Sequence, residues 1–392
     1  MNNTIKLAVA SALLAAASSA SAAGGIVAGD WTLDIGGVVN AYYTSTKTSG
    51  NTANGGLIAG ANDTGTSKSS NITTGLLPNY LSVSGKTRQN DLDVAFTISI
   101  QPGTSNRNAL DYKDSSTGDT SAHATQENRQ AFLTFGDASW GSFKLGKDLG
   151  IYASDAILND MTLLGVGSAA GTLAGNTTTL GRIGTGYIYA DWKPQIAYTT
   201  PNFNGFSATV GVTQAWNGAE NTSRGGNEPA FEGKASYAFA GDVSGKVWVS
   251  GISQNVEDLN KTATAWDLGA NVNAAGFGAT AYYGEGRGTG TTGQFLGGFD
   301  ASGNKLHSKD WYLQGTYALP GVGTKLGLSY GESDLKQDDG TKSQNNMWVV
   351  GAYHPLTKHL NLVAEYSVAK AEETDEESAK AKTMSLGAIL FF

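Results

Sequence analysis

The sequence predicts an all-β fold: a transmembrane, antiparallel, up-and-down β-barrel of about 16 strands. Long extracellular loops sit at one rim and short periplasmic turns at the other. Three observations carry this. Segments of roughly ten residues alternate apolar and polar positions, the length a tilted strand needs to cross a bilayer. The connections between them alternate long and short. The chain closes on "KTMSLGAILFF", where Met384, Leu386, Ala388 and Leu390 fall on one face and no polar tail follows. In water such a bare edge invites aggregation.

The composition agrees. Among 392 residues, 53 are Gly and only 7 are Pro, and charged residues make up 15%. Many glycines with scattered Trp and Tyr suit many strands and turns. With 40% hydrophobic residues and a mean hydropathy of −0.22, the chain on average looks soluble. A net charge of −8 argues against a nucleic-acid partner. The absence of Cys excludes thiol chemistry and Cys-based metal sites.

Residues 1–22 read as a signal peptide. Lys6 is the only charge, Leu7 to Ala17 is apolar, and Ala20-Ser21-Ala22 offers an A-x-A cleavage site. The apolar stretch is too short to span a bilayer, and no later run is long enough for a transmembrane helix. Residues 23–392 form the barrel domain.

The clearest strand is "NDLDVAFTISIQP": Leu92, Val94, Phe96, Ile98 and Ile100 oppose Asp91, Asp93, Thr97, Ser99 and Gln101. The same alternation recurs in sixteen segments, near 30–44, 79–88, 91–101, 127–136, 140–148, 192–200, 205–215 and 229–240, then 242–254, 264–273, 276–285, 309–319, 323–332, 344–354, 359–369 and 382–392. The long gaps 45–78, 102–126 and 149–191 are rich in Ser, Thr, Asn and Gly. Between them lie tight turns such as "TRQN", "DASW", "PNFN" and "NAAG". A sandwich has no reason to sort its loops this way, and a solenoid would show a fixed repeat. An even strand count brings the last strand beside the first, so the barrel closes and residues 384–392 face lipid. Trp31, Tyr80, Trp140, Phe206, Trp266 and Trp311 lie near segment ends, as interfacial aromatics do.

Three stretches resemble the Gram-negative trimeric porin family: "NRQAFLTFGDASWGSFKLGKDLG" (128–150), "PQIAYTTPNFNGFSATVGV" (194–212) and the ending "GAILFF" (387–392). The resemblance covers essentially the whole mature chain. It implies a homotrimer in the outer membrane of a Gram-negative bacterium, in contact with membrane lipid and lipopolysaccharide. It implies a third loop folded into the pore. It makes Phe392 an assembly signal for the barrel-assembly machinery, with periplasmic chaperones acting during biogenesis. One departure is Lys147 after "KLG", where many relatives carry Arg.

Other motifs weigh less. Gly288, Gly290 and Gly293 match GxGxxG, but in a Gly/Thr-rich loop without the flanking strand and helix a dinucleotide site needs. His354 and His359 sit in a short turn without a third ligand. No Ser/His/Asp triad is visible, so neither enzyme chemistry nor a cofactor is expected. The acidic run Glu372, Glu373, Asp375, Glu376 and Glu377 reads as a solvated loop tip, or as a bridge through divalent cations to lipopolysaccharide phosphates.

The lumen carries the useful chemistry. Strand parity puts Lys86, Arg88, Lys144, Lys234, Lys246 and Lys325 inside, and also Asp34, Asp91, Asp93, Glu232, Asp267 and Glu365. The expected constriction sets loop acids Asp155 and Asp160 against wall bases Lys86, Arg129, Lys144 and Lys147, with Arg182 as a loop base. Arg129 and Lys147 share parity with apolar neighbours, so alternation alone does not place them in the lumen. The reading is a general-diffusion channel for small hydrophilic solutes. Its nearest rival is a substrate-specific channel with Tyr42, Trp248, Tyr282, Tyr312 and Trp348 as a stacking track.

Overall fold

The computed structural model describes residues 25–104, 126–168, 178–216, 228–256, 259–292, 297–336, 340–373 and 378–392. The expected signal peptide lies outside them. In chain order the strands are β1 (Ile26–Ala28), β2 (Trp31–Gly50), β3 (Lys68–Thr73), β4 (Tyr80–Gln89), β5 (Leu92–Pro102) and β6 (Gln126–Asp137). Next come β7 (Gly141–Leu149), β8 (Trp192–Thr199), β9 (Phe206–Thr213), β10 (Ala230–Phe239), β11 (Val243–Val256) and β12 (Lys261–Ala274). The last six are β13 (Phe277–Arg287), β14 (His307–Ala318), β15 (Lys325–Lys336), β16 (Lys342–Pro355), β17 (Leu360–Glu373) and β18 (Ser378–Phe391).

Sixteen of these close a ring. Each from β4 to β18 pairs antiparallel with the next, β2 pairs with β4, and β18 returns to β2 from Ala379↔Gly50 to Phe391↔Val38. The segments predicted from alternation coincide with these sixteen, several running longer. β1 and β3 are short additions on β2, which extends to Gly50 because β3 folds back on it from Tyr42↔Thr73 to Lys47↔Lys68. The alternation of residues 68–73 is too short and too polar to read as a strand from sequence.

The burial pattern is that of a soluble protein turned inside out. Phe231 is 63% exposed and Leu328 58%, whereas Asp267 and Ser333 are fully buried. Apolar side chains outside and polar ones inside suit a barrel with lipid around it and water within. Every strand of the ring has a partner strand on both sides, as hydrocarbon demands of a spanning sheet. Among the described residues no helix is long and apolar enough to cross a membrane.

The turns follow their chemistry. Asn90 (φ 48°) and Asp91 (φ 62°) join β4 to β5, and Ala275 (φ 50°) with Gly276 (φ 86°) joins β12 to β13. Two successive positive φ values mark the hairpin turn whose twist matches the strands.

Candidate pore constriction

The long connection between β7 and β8 does not stay outside the barrel. Its base is tied where Gly150 donates its N–H to the Asp191 carbonyl at 2.8 Å. From there it enters the lumen and is held by inward side chains of one strand after another.

Glu232 on β10 comes first. One carboxylate oxygen accepts the N–H groups of Ile151 and Tyr152, both at 2.8 Å. The other accepts from Thr213 Oγ1 at 2.7 Å and from the Lys193 ammonium. Ala153, at φ 61°, then turns the chain and donates its N–H to Ser250 Oγ at 3.1 Å. The short helix Ser154–Leu158 follows. Its Asp155 meets two wall lysines, Lys234 at 3.3 Å and Lys246 closer still. Burial disfavours the Asp155 carboxylate, but the two ammonium groups outweigh it and hold its pKa below the ordinary value.

The loop then crosses to the opposite wall. Tyr312 on β14 donates its hydroxyl to the Ala156 carbonyl, and Gln314 donates to the Asn159 carbonyl, both at 2.9 Å. Gln314 also accepts the Met161 N–H at 2.7 Å. Asp160 caps the 3-10 turn Met161–Leu164: it accepts from Thr162 N at 3.0 Å, Thr162 Oγ1 at 2.6 Å and the Tyr187 hydroxyl at 2.9 Å. Tyr42 on β2 donates to the Leu164 carbonyl at 2.7 Å. Glu365 on β17 repeats the device of Glu232, taking the N–H groups of Val166 and Gly167 at 2.7 and 2.9 Å and the Tyr353 hydroxyl at 2.7 Å.

Apolar packing closes this side. Ile157, Met161, Leu163 and Val166 share one buried cluster with Tyr42, Tyr312, Tyr353 and Val363. Facing it, the arc from β4 to β10 presents small, half-exposed polar side chains inward, among them Ser82, Ser84, Thr134, Thr199, Ser207, Thr209 and Ser236. The remaining water path runs along that arc.

The expected site residues fall into distinct places. Lys144 points inward, pairs with Asp148, and stands 4.8 Å over the Phe132 ring. Lys86 is exposed near the turn end of β4. Asp155 is brought together with Lys234 and Lys246 rather than with Lys86 or Lys144. Asp160 is buried, with its oxygens engaged inside the loop. Lys147 follows the outward parity of Phe143 and Leu145 and donates to the Asn128 carbonyl at 2.8 Å. Arg129 sits where the β5–β6 register shifts between Ser99 and Gln101, buried, with its guanidinium 5.9 Å from the Trp192 ring centre. Arg182 is fully buried behind the loop, donating to the Met347 carbonyl at 2.9 Å, and burial pulls its pKa down while Asp160 opposes this.

Of the aromatic track, Trp248 and Tyr282 point inward, and Tyr42 and Tyr312 hold the loop. Trp348 points outward against Tyr366 at 5.5 Å. Tyr80, expected at the interface, is buried inside. Glu372 pairs with Lys370, Glu373 accepts from Asn54, and Asp375, Glu376 and Glu377 lie outside the described residues. Among the described residues no cluster of His, Asp or Glu could hold a metal ion.

Sequence reasoning missed the role of Glu232, Lys234 and Lys246, although parity had placed them inside. Their place was readable from the hairpin at 240–242: the register sets Lys246 opposite Ala238 and Lys234 opposite Ser250, two inward-facing levels apart on one wall.

The model of the Gram-negative porin family matches residues 8–374. The chain is a Gram-negative porin. No curated protein sequence matches it. In structure the porin is similar to the anion-selective porin from Comamonas acidovorans, with a TM-score of 0.61 at 16% identity over 92% of this chain and 100% of that one. It is also similar to the outer membrane channel DcaP of Acinetobacter baumannii, with a TM-score of 0.65 at 16% identity over 94% and 100%. The trimer form of OmpT from Vibrio cholerae gives 0.56 at 13% identity over 92% and 99%. Family and fold place the porin in the bacterial outer membrane, as a channel for diffusion of small solutes rather than an enzyme.

Proposed function

We propose that the porin is a non-catalytic, general-diffusion channel whose constriction weakly favours anions. The carrying observation is the placement of Asp155. Its carboxylate is only 5% exposed, while its partners Lys234 and Lys246 are each 25% exposed. The charge left facing water is positive. Lys144, 33% exposed beside the more buried Asp148, adds to it. In a narrow pore with low-dielectric walls such charges act strongly on passing ions. The name of the similar anion-selective porin from Comamonas acidovorans is in keeping with this reading. The test is single-channel reversal potential in a salt gradient, with solute flux measured against concentration. Reversal on the anion side and linear flux support the proposal; saturating flux supports a substrate-specific channel. The aromatic arrangement favours the general pore, because Tyr42 and Tyr312 are occupied in holding the loop and Trp348 faces outward.

The porin works as a homotrimer in this reading, exported by a signal peptide of residues 1–22. Aromatic belts mark lipid contact. On the outer face Trp266, Tyr283, Trp311, Tyr330, Trp348, Tyr366 and Tyr43 form such a belt near the loop end of β12 to β18 and β2. At that height β4 to β6 carry Leu81, Ile98, Ile100, Ala131 and Leu133 instead. A sector without the belt suits contact with another subunit. Disulfide cross-linking of the single-cysteine variants Ile98→Cys and Leu133→Cys tests it: covalent dimers support the contact, and chains that stay monomeric under oxidation refute it.

A further inference from the structure

We propose that Asp267 and Asp310 are positioning residues of the constriction, each holding one limb of the inserted loop through a neighbouring serine. Register lines up five inward residues at one height of the wall. Ser250 on β11 lies opposite Asp267 on β12, followed by Gly284, Asp310 and Ser333 on β13, β14 and β15. The row reads the same from either end. Its outer serines each take a main-chain N–H from the loop. Ser250 Oγ accepts from Ala153 on the entry limb at 3.1 Å, and Ser333 Oγ accepts from Gly186 on the exit limb at 2.9 Å. Its inner acids each take a serine proton. Ser250 donates to Asp267 Oδ1 at 2.7 Å, and Ser333 donates to Asp310. Four strand spacings, about 19 Å along the wall, separate the two serines.

A serine hydroxyl alone is a poor anchor, because it rotates and has one proton and two lone pairs to distribute. A carboxylate that takes the proton fixes the rotor and leaves a lone pair aimed at the loop. Asp267 is fully buried and Asp310 is 4% exposed. Burying a carboxylate is costly unless it is paired or hydrogen-bonded. Among the described residues neither acid forms an ion pair; Lys234, opposite Ser250, turns to Asp155 instead. Asp310 Oδ1 has no hydrogen-bond partner among the described residues, so the bond to Ser333 carries the contribution of that side chain. Tyr282 crosses the gap between the acids and brings its hydroxyl to 3.5 Å from Asp267 Oδ2. Gly284 leaves room for it: a Cβ there would stand 2.9 Å from that hydroxyl.

The two relays hold different parts of the loop. Ala153 begins the helix that carries Asp155 and has no side chain to cap it. Losing the Ser250 contact frees that helix start, and Asp155 then reaches the water path and offsets the lysines there. Gly186 lies beyond Arg182, on the limb that returns to β8. Its release leaves Asp155 with Lys234 and Lys246. This consequence for ion preference rests on the reading of Asp155 given above; the relays themselves do not.

The test uses the full porin, which has no cysteine, with Leu158→Cys as a reporter on the entry side and, separately, Thr185→Cys on the exit side. A water-soluble thiol reagent should label both slowly. Asp267→Ala or Ser250→Ala should speed labelling of the entry reporter about tenfold, the factor one buried hydrogen bond is worth, and leave the exit reporter unchanged. Asp310→Ala or Ser333→Ala should do the reverse. The serine variants break the same tether without emptying a carboxylate site, so the result does not depend on the alanine variants of the acids folding. Asp267→Asn and Asp310→Asn keep an acceptor oxygen and should label like the parent. Ser250→Ala combined with Asp267→Ala should go no further than either alone, because both break one path. Equal acceleration of both reporters would mean general loosening. Asn variants as fast as Ala variants would mean that charge rather than hydrogen-bond acceptance matters. Parental rates in the Ala variants would mean that the acids hold nothing. Each of these overturns the proposal. Reversal potential then separates it from the ion-preference reading. Ser250→Ala, which changes no charge, should move it toward cations, and Ser333→Ala should not move it. Faster labelling of the entry reporter with an unmoved reversal potential would leave the relay standing and refute the reading of Asp155.

Discussion

Phe392 and Gly37 exchange both main-chain hydrogen bonds: the Phe392 N–H donates to the Gly37 carbonyl at 3.1 Å, and the Gly37 N–H donates to the Phe392 carbonyl at 2.9 Å. The Phe392 ring covers the glycine, so a Cβ there would stand 2.7 Å from its Cζ and 2.2 Å from the Tyr80 carbonyl oxygen. This pair fastens the seam at which the ring of strands closes. Deleting Phe392 removes two hydrogen bonds, worth roughly 2 kcal/mol together, and an aromatic anchor. Gly37→Val collides with backbone on β4. Both variants should leave less heat-modifiable, folded barrel in the outer membrane. Parental levels of either would show that the seam closes without this contact.

The two loop-holding glutamates should differ in what they cost. Glu365→Ala leaves two loop N–H groups without their acceptor, about 1–3 kcal/mol each if they stay buried. Glu232→Ala does the same and also strands Lys193, whose side chain is 2% exposed. Removing one partner of a buried ion pair costs about 3–5 kcal/mol. Thermal unfolding should therefore drop further for Glu232→Ala, while Glu365→Ala should mainly raise current noise. Equal unfolding temperatures would mean that Lys193 finds water or another acceptor.

Much of the barrel was legible because its signal is local. Period-two alternation, hairpin residues such as Asn90 and Asp91, and loop lengths are properties of neighbouring residues. The constriction is a matter of height and reach. Asp155 could be read as a loop acid, but its partners lie about 80 to 90 residues away on β10 and β11. Lys147 and Arg129 carry the charge expected of a wall base, yet alternation puts Lys147 on the outer face, and the register shift beside Ser99 takes Arg129 out of simple parity. Arg182 shows the opposite failure. Its charge suggested the pore, while the packing of Tyr312 and Met347 around it could not be seen in the sequence.

Topology can be checked cleanly because the chain has no cysteine. Ser302 is exposed in the long connection before β14, and Lys358 is exposed in the turn between β16 and β17. On intact cells an impermeant maleimide should label Ser302→Cys and spare Lys358→Cys. The reverse pattern would invert the barrel.

Acid should release the loop only at low pH. Asp155 has its pKa lowered in the folded state by Lys234 and Lys246 against the opposing cost of burial. Its contribution is thus present above the unfolded value of about 3.9 and is lost as pH falls through the lower folded value. Conductance steps tied to Asp155 should be absent between pH 8 and 5, appear only below the ordinary carboxylate range, and vanish in Asp155→Asn. A step at pH 6 that Asp155→Asn removes would contradict the lowered pKa.

Charge selectivity gives the sharpest check on the constriction. Screening reaches about 10 Å at 0.1 M salt, so charges at the loop tips are muted while charges within the passage are not. Lys234, Lys246 and Asp155 together carry one net positive charge. Asp155→Asn should raise that to two and move the reversal potential toward anions. Replacing Lys144, Lys234 and Lys246 by Gln should move it toward cations by a larger step, because three charges facing the water path are lost. Lys147→Gln should do little, since its ammonium group lies on the outer face at the Asn128 carbonyl. Asp160→Asn should change stability more than selectivity, since its oxygens serve Thr162 and Tyr187 within the loop. Neutralising Glu372 to Glu377 should also do little at ordinary salt. If that acidic run or Lys147 shifts the reversal potential more than the three lysines do, the narrowest part of the water path lies elsewhere than beside Asp155.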